Sequence, residues 1–161
     1  MATHDVLHGI GVSAGTAAAP AAIVQPAPGV DTTEPGSVDA AADGARVREA
    51  LAAVSARLSE RAANAPEETK AILKATAQLA GDRGLAKAVD KKLKKGLGVT
   101  QAVHDAVEDY AQMLRSLGGY MAERATDLYD VRDRAICELR GLPEPGVPAF
   151  DGPVVLVARD L

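Results

Sequence analysis

Histidine is the side chain in this sequence best suited to proton transfer or to carrying a reactive group, and it occurs at His4, His8 and His104. An imidazole does such chemistry only when a base or an orienting carboxylate holds it beside an anion site. The sequence gives no means of placing either group next to His8. His104 has no second histidine or cysteine at metal-ligand spacing, so we expect it at the surface or boundary of a helix.

The sequence also lacks the motifs of common catalytic and metal sites. It contains no nucleophile elbow, no Walker loop, no H-E-x-x-H and no Cys/His cluster. Gly9, Gly11 and Gly15 do not fit a dinucleotide-binding fingerprint, since no clear helix follows them, and we interpret them as turn glycines. Cys137 is the single cysteine, which excludes an intrachain disulfide and favours an inert buried thiol. The segment is therefore expected to bind a partner and to hold no cofactor.

The densest cluster of charge consists of lysines at positions 91, 92, 94 and 95. It would suit a phosphate or a nucleic acid, but no aromatic residues interleave with the lysines to stack on bases. The formal net charge of −4 also disfavours general binding to nucleic acid or to a membrane surface. We interpret the lysines as cations that stabilise the negative end of a helix dipole.

Insertion into a membrane and export are not predicted. No apolar run approaches the ~18 residues that indicate a membrane-spanning helix. The first residues, MATHDVLHGIG, lack the charged and apolar regions of a signal peptide. A cytoplasmic protein is therefore predicted.

The composition predicts a bundle of closely packed helices. Hydrophobic residues make up 47% of the sequence but aromatic residues only 2%, and much of the hydrophobic content is alanine. Alanine-rich helices form readily and approach each other closely. Apolar residues repeat at spacings of three and four, which predicts helices over residues 37–64, 66–80, 85–95, 100–117 and 120–140.

Caps and inward faces can be assigned to these helices. Ser37, Asp82 and Thr100 are the expected N-caps, because their side chains can accept a hydrogen bond from the first turn. The residues expected to face the core are Val47, Leu51, Val54, Leu58, Leu85, Val89, Leu93, Val103, Val107, Tyr110, Leu114, Leu117, Met121, Leu128, Ala135 and Leu139.

Short extended segments flank the helices. Residues 6–12 and 16–24 are predicted strands, and Pro20 places the second at a sheet edge or a bulge. Residues 153–158 form a near-continuous β-branched run, which is typical of a buried strand in a parallel sheet. Linkers rich in proline and glycine separate these strands from the helices.

The predicted fold class is mainly α: a bundle of two helical hairpins inserted into a truncated α/β domain, which the short terminal strands represent. We expect the first strands and a linker over residues 1–36, the helical domain over 37–142, and a linker with the returning strand over 143–161. Insertion through paired linkers is well tolerated. Because the sequence stops just after a strand, we expect it to be cut from a longer protein. The open sheet edge would then permit strand exchange between copies.

Residues 65–89 are the best candidate for a binding surface. A helix begins near Pro66 and carries Glu67 and Glu68 at the positive end of its dipole, and a second helix follows a break at residues 81–84. Few large apolar residues interrupt its alanine, threonine and glutamine. Such a helix pair can pack one side on its neighbours and present a small-residue face to a partner protein. The alternative is that both helices serve only the core.

Four motifs occur in an order that resembles a known family. GIGVSAG at residues 9–15 is similar to its G-I-x-x-S-P-G start, with alanine where proline is usual, and residues 67–85 match its second-helix pattern. ERA at residues 123–125, followed by DVRD at 130–133, and PVVLVARDL at 153–161 are similar to a later helix and strand. Over nearly its whole length, the chain resembles the N-terminal part of enzyme I of the bacterial phosphoenolpyruvate:sugar phosphotransferase system.

The resemblance implies a phosphoryl-transfer role for the full-length protein. Enzyme I phosphorylates one of its own histidines with phosphoenolpyruvate and Mg²⁺, and passes the phosphoryl group to the carrier protein HPr. The bundle would be the HPr-docking domain, inserted into an α/β phosphohistidine domain. The G-G-x-T-S-H motif of that histidine is absent from this sequence, as is the barrel domain that binds phosphoenolpyruvate and dimerises. The segment alone is therefore expected to be inactive and to lack the native dimer contact.

The resemblance assigns HPr docking to the second helix and the short helix after it. Departures from the family pattern fall there: Lys74 replaces a frequent acid, Thr76 a histidine and Gln78 a larger apolar residue. Each change removes apolar area or negative charge, which predicts a weaker or differently tuned docking face with less salt dependence. The docking residues so assigned are Glu67, Glu68, Ala71, Ile72, Ala75, Leu79 and Leu85.

Two other interpretations fit the same residues. A multidomain phosphotransferase, specific for fructose or dihydroxyacetone, would carry an enzyme I-like segment of this kind. A non-catalytic helical adaptor would use the same bundle with no phosphoryl role. Binding to purified HPr separates the adaptor from both phosphotransferases.

Overall fold

Helices make up most of the structure, a computed structural model that describes residues 8–159. The five predicted helices are confirmed, although their ends differ from the predicted ends by a few residues. Two short strands flank them. In chain order the elements are β1 Ala21–Ile23, α1 Ala40–Ala63, α2 Glu67–Ala80, α3 Arg83–Leu93, α4 Val99–Leu117, α5 Gly119–Arg140 and β2 Val155–Val157.

The core lies between the five helices and consists of aliphatic side chains and alanine. Helix α1 packs along α2, α4 packs along α5, and α3 contacts both α1 and α4. The predicted stripes of α1 and α3 are confirmed as buried. Every tyrosine, as well as Phe150, keeps part of its surface exposed, so aromatic rings are not what fills the interior. The helices can therefore approach closely through alanine.

The predicted inward faces of α4 and α5 are correct in the middle of the bundle and wrong near the turn that joins these helices. Val103, Val107 and Leu128 are fully buried. Leu117 and Met121 are exposed instead. Their exposure means that no other described segment covers this end of the helix pair, although the apolar spacing continues through it.

Helix α1 starts later than predicted, and Ser37 is not its cap. The N-cap is Asp39, whose Oδ1 accepts two backbone N–H groups of the first turn at 3.1 and 3.0 Å. The Ser37 hydroxyl donates to Asp43 Oδ2 at 2.6 Å. The predicted cap of α3 is confirmed, because Asp82 Oδ1 accepts the N–H groups of its first turn at 2.7 and 3.0 Å.

A side chain from the linker caps α4, so the prediction that Thr100 is the cap is wrong. Thr100 lies inside the helix, and its backbone N–H and hydroxyl donate to Glu34 Oε2 at 2.8 and 2.7 Å. The linker follows the bundle closely at this point. A Cβ on Gly36 would lie 2.3 Å from the carbonyl oxygen of Gly96, so only glycine fits there.

The two strands pair in parallel, with a register that runs from Ala21 opposite Val155 to Ile23 opposite Val157. Beyond β1, Gln25 forms an isolated antiparallel bridge with Gly146. Strand β1 falls inside the second predicted strand, 16–24. The first predicted strand, 6–12, is wrong for residues 8–12, which form no strand, and its first two residues lie outside the described chain.

Strand β2 confirms the predicted element but not its predicted burial. Its three side chains are between 38 and 47% exposed. Parallel strands are normally covered on both faces by helices. In residues 8–159 only β1 pairs with β2, and no further layer covers the pair.

The Glu34 cap leads to a first prediction. Replacing Glu34 by alanine should lower the free energy of unfolding by about 1–2 kcal/mol, because the first turn of α4 loses its acceptor and the buried Thr100 hydroxyl loses its partner. Urea unfolding followed by far-UV circular dichroism measures this. Asp31→Ala is the control, since Asp31 bonds only within its own turn. Equal stability of Glu34→Ala and the parent chain would contradict the cap.

Candidate protein-docking surface

Helix α2 turns one side toward the core and the other toward solvent. Thr76, Ala77 and Ala80 are buried, and α2 packs along α1. On the opposite side, the first two turns carry Glu67, Glu68, Ala71 and Ile72, which are all exposed. Ile72 is 59% exposed, a large fraction for a branched aliphatic side chain. Ala75 and Leu79 continue this side of the helix and are half-buried.

The structure removes Leu85 from the predicted docking residues. Its side chain is 1% exposed and belongs to the core with Val89 and Leu93. Leu85, Val89 and Leu93 follow each other at a spacing of four, so Leu85 lies on the inward line of α3, as its apolar spacing predicted. A fully buried side chain cannot contact a partner, so six of the assigned residues remain.

The first turns of α5 lie beside the exposed side of α2 and form a groove with it, which residue patterns alone did not reveal. Two adjoining depressions of about 360 Å³ each make up this groove. We call it the α2–α5 groove and define it by Ala71, Ile72, Ala75, Gln78, Leu79, Asp82, Tyr110, Leu114, Tyr120, Met121, Glu123, Arg124 and Asp127.

Large exposed apolar side chains are unevenly distributed over the bundle. Among the helix residues of the described chain, they occur only on α2 and toward the ends of α4 and α5 that meet: Ile72, Met113, Leu117, Tyr120 and Met121. Tyr120 is 63% exposed. Exposed apolar groups that gather beside one groove are typical of a protein-interaction site. The apolar spacing predicted an inward face for Met121 and made no prediction for Tyr120, so the sequence did not indicate that both are exposed.

Arg124 is held in the groove by three contacts at once. Its Nη1 donates to Asp127 Oδ2 at 2.7 Å, its Nη2 donates to the Tyr120 hydroxyl, and its guanidinium lies 4.7 Å from the centroid of that ring. The hydrogen bond to Asp127 raises the pKa of Arg124 above its ordinary value. The groove therefore contains a permanent cation whose position is fixed before any partner arrives.

At the end of the groove near Asp82, the polar group is the uncharged hydroxyl of Tyr110. The Tyr110 hydroxyl points to Asp82 Oδ1 at 3.4 Å. Burial raises the pKa of Tyr110, and the negative charge of Asp82 raises it further. Tyr110 thus stays a neutral hydrogen-bond donor. The acidic residues of the first α2 turn lie at the opposite end, where Glu67 pairs with Lys70 at 3.3 Å.

The arrangement can bind but has no evident catalytic group. His104 lies outside the groove on α4, where its Nδ1 is 3.2 Å from Asp105 Oδ1. Within residues 8–159, no three His, Cys, Asp or Glu side chains converge as they would to hold a metal ion. None of the helices in that range has the length and hydropathy to cross a bilayer. Cys137 is buried as predicted, and burial raises the pKa of its thiol.

The sequence matches known proteins over most of its length. Residues 8–124 match the family described as "PEP-utilising enzyme, N-terminal". A phosphoenolpyruvate-protein phosphotransferase of Streptomyces coelicolor is 42% identical over 123 residues, which cover 76% of this chain and 22% of that protein. The enzyme of the same name from Listeria monocytogenes is 32% identical over 162 residues, with 96% and 28% covered. The chain thus spans about a quarter of the length of these curated relatives.

Two solved structures are similar in fold. The NMR solution structure of enzyme I (nEIt) matches with a TM-score of 0.65 at 27% identity, over 89% of this chain and 63% of that one. The N-terminal domain of Enzyme 1 - Nitrogen matches with a TM-score of 0.61 at 24% identity, over 87% and 58% of the two chains, a likeness in fold alone. The predicted fold class is confirmed.

The different positions of Leu85 and Ile72 lead to a second prediction. Leu85→Ala should lower the free energy of unfolding by about 2–5 kcal/mol, because it leaves a cavity in the core. Ile72→Ala should change it by no more than about 0.5 kcal/mol, because Ile72 is mostly exposed. Urea unfolding of both variants measures the difference. Equal losses in the two variants would mean that α3 does not bury Leu85.

Proposed function

This chain belongs to the PEP-utilising enzyme N-terminal family, and we propose that its α2–α5 groove is the surface on which a longer phosphotransferase receives the carrier protein HPr. The observation that carries the proposal is the gathering of Ile72, Tyr120 and Met121 beside one groove of a bundle whose other large apolar helix residues are mostly buried. The resemblance to enzyme I supplies the partner. The groove supplies a place for it that includes α5 as well as α2.

The full-length protein would act in the cytoplasm. It would catalyse phosphoryl transfer from phosphoenolpyruvate to HPr and so supply phosphoryl groups for sugar uptake. This segment lacks the motif of the phosphorylated histidine. Its part in the reaction is to bind HPr and orient it, so that binding energy holds the donor and acceptor histidines together. The phosphoenolpyruvate site and its Mg²⁺ belong to the remainder of the full-length protein.

Different residues of the groove would make different contributions to binding. Ile72, Leu79 and Tyr120 offer apolar surface whose burial drives association. Glu67 and Glu68 lie in the first turn of α2, one turn before Ala71, and would attract a basic rim on the carrier, which chiefly raises the association rate. Arg124 is neutralised by Asp127, so it gives a directional hydrogen-bond donor more than a net charge.

Helix α2 is held rigidly enough to act as a preformed surface. The Ser55 hydroxyl of α1 donates to the carbonyl oxygen of Ala77 at 2.8 Å, which ties the last turn of α2 to its neighbour. The Thr76 hydroxyl donates to the carbonyl oxygen of Ile72 at 3.1 Å. A surface that is ordered before binding loses little conformational entropy when the partner docks.

A third prediction tests the apolar part of the groove. Ile72→Ser should weaken HPr binding roughly 5- to 30-fold, because about 1–2 kcal/mol of apolar burial is lost. Isothermal titration calorimetry with purified HPr measures the affinity. Val38→Ser is the matched control, since Val38 is a fully exposed aliphatic residue before α1 and outside the groove.

The third prediction fails if Ile72→Ser binds HPr as tightly as the parent chain, or if Val38→Ser loses as much affinity. No binding of the parent chain to HPr at all would favour the non-catalytic adaptor. Circular dichroism of each variant shows whether the helices stay intact.

A fourth prediction tests the electrostatic part. Lys74 is exposed on α2, and its positive charge offsets the negative charges of Glu67 and Glu68 in the first turn of that helix. Lys74→Glu should tighten HPr binding several-fold at low ionic strength, and the gain should shrink near about 1 M salt, where the Debye length is about 3 Å. Lys95→Glu makes the same charge change beyond the end of α3, outside the groove, and should have a much smaller effect. An unchanged affinity for Lys74→Glu would contradict the proposed orientation of the carrier.

A further inference from the structure

The chain passes between the helices and the strand pair twice, and the second passage depends on one carboxylate. We call residues 141–154 the return crossing. Its Glu144 accepts hydrogen bonds from three arginines: Arg57 Nε at 2.6 Å, Arg61 Nη2 at 2.5 Å and Arg134 Nη1 at 3.0 Å. The first two lie one turn apart on α1 and the third on α5. Glu144 therefore joins the return crossing to both helices at once.

The surrounding charges make Glu144 central to a nearly balanced cluster. Arg57 also pairs with Glu138 at 2.8 Å, and Arg134 pairs with Asp130 at 2.8 Å. Burial alone would raise the pKa of Glu144, but the hydrogen bond from Arg57 and the charges of Arg61 and Arg134 lower it below its ordinary value. The carboxylate stays ionised, and its loss would leave guanidinium groups with less negative charge around them.

The backbone N–H groups of Gly141 and Leu142 donate to the carbonyl oxygens of Glu138 and Cys137 and so complete the end of α5. Within residues 8–159, Glu144 makes all the hydrogen bonds between residues 143–152 and the helices. Gly146 bonds to Gln25, which belongs to the other passage. The intervening residues are rich in proline and glycine and form no helix or strand. Glu144 is therefore the side chain that attaches residues 143–152 to the helices.

The first passage, in contrast, is held at several points. Glu34 caps α4, the Ser37 backbone N–H donates to the carbonyl oxygen of Leu97 at 3.1 Å, and Arg140 donates to the carbonyl oxygen of Gly29 at 3.1 Å. These contacts lie on α4, on α5 and in the turn between α3 and α4. Loss of Glu144 would thus release residues 143–152 from the helices, while the first passage keeps its own contacts with the bundle and its bridge to Gly146.

We propose that Glu144 is an ionic latch: while it holds the three arginines, the return crossing and strand β2 keep a fixed position relative to the bundle, and when it is removed they move without unfolding the helices. A latch of this kind sets the direction in which the α2–α5 groove faces relative to the strand pair. Because its ion pairs are partly exposed, salt weakens it. The proposal holds whether or not the groove binds HPr.

A pair of spin labels on the full chain tests the latch. The labels are placed through Ser59→Cys, exposed on α1, and Asp151→Cys, exposed in the return crossing. Cys137 is buried and stays unlabelled. Pulsed electron–electron double resonance measures the distribution of distances between the two labels. This distribution should be at least about twofold wider in Glu144→Gln than in the parent chain, because the segment gains mobility. The distance distribution of the parent chain should widen in the same way at about 1 M salt.

Glu138→Gln is the matched control. It removes the same charge from the same cluster, but Glu138 lies on α5 and pairs with Arg57 alone. Its distribution should stay as narrow as that of the parent chain. The latch is refuted if Glu144→Gln stays narrow, if both variants widen equally, or if Glu144→Gln loses the helical circular dichroism signal. A failed HPr titration would leave these distances unchanged, so the two proposals are tested separately.

Discussion

Close approach of helices through alanine is the constraint on which this structure depends. Ala62, Ala102, Ala106 and Ala111 are fully buried at helix contacts, and no aromatic ring lies wholly inside. Larger side chains at these positions would push the helices apart and leave strain or voids. A thin core of this kind needs almost every large aliphatic residue for itself. The few large apolar residues that stay exposed on the helices therefore indicate a binding surface. They lie on α2 and near the α4–α5 turn.

Because the core uses most of the large aliphatic residues, charged side chains attach the two passages between the helices and the strands. The passages between the helices and the strands contain few apolar residues that could pack on the bundle. Glu34 attaches the first passage by capping α4, and Glu144 attaches the second by binding three arginines. Both are single carboxylates that accept hydrogen bonds from donors far away in the sequence. The bundle thus stays compact through apolar packing, and its orientation to the strands rests on ionic contacts.

Local patterns predicted the parts of the fold that local forces determine. The stripe from Val47 to Leu58 is buried because helical periodicity alone places it on one face, and Asp82 caps α3 because its acceptor lies two residues from its donor. Glu34 escaped prediction because it caps a helix 66 residues away. The exposure of β2 depends on what covers a sheet, which the strand's own residues do not encode.

The candidate site divides in the same way. Residue pattern and resemblance to enzyme I both assign docking to α2, and Ile72 is exposed there. Apolar spacing assigned Leu85 to the core and the resemblance assigned it to docking, and its burial agrees with the spacing. Tyr120 and Arg124 were missed because their part in the groove arises from the packing of α5 against α2. Tertiary contacts, not sequence spacing, bring these residues together.

The central claim is that the α2–α5 groove receives a carrier protein, and chemical-shift mapping tests it most directly. Purified HPr is titrated into the isotope-labelled chain, and the backbone amide signals are followed. The account predicts that the largest changes fall in residues 67–79 and 120–127, on both sides of the groove. Changes confined to the lysines at 91–95 or to the strands, with the groove unaffected, would contradict it.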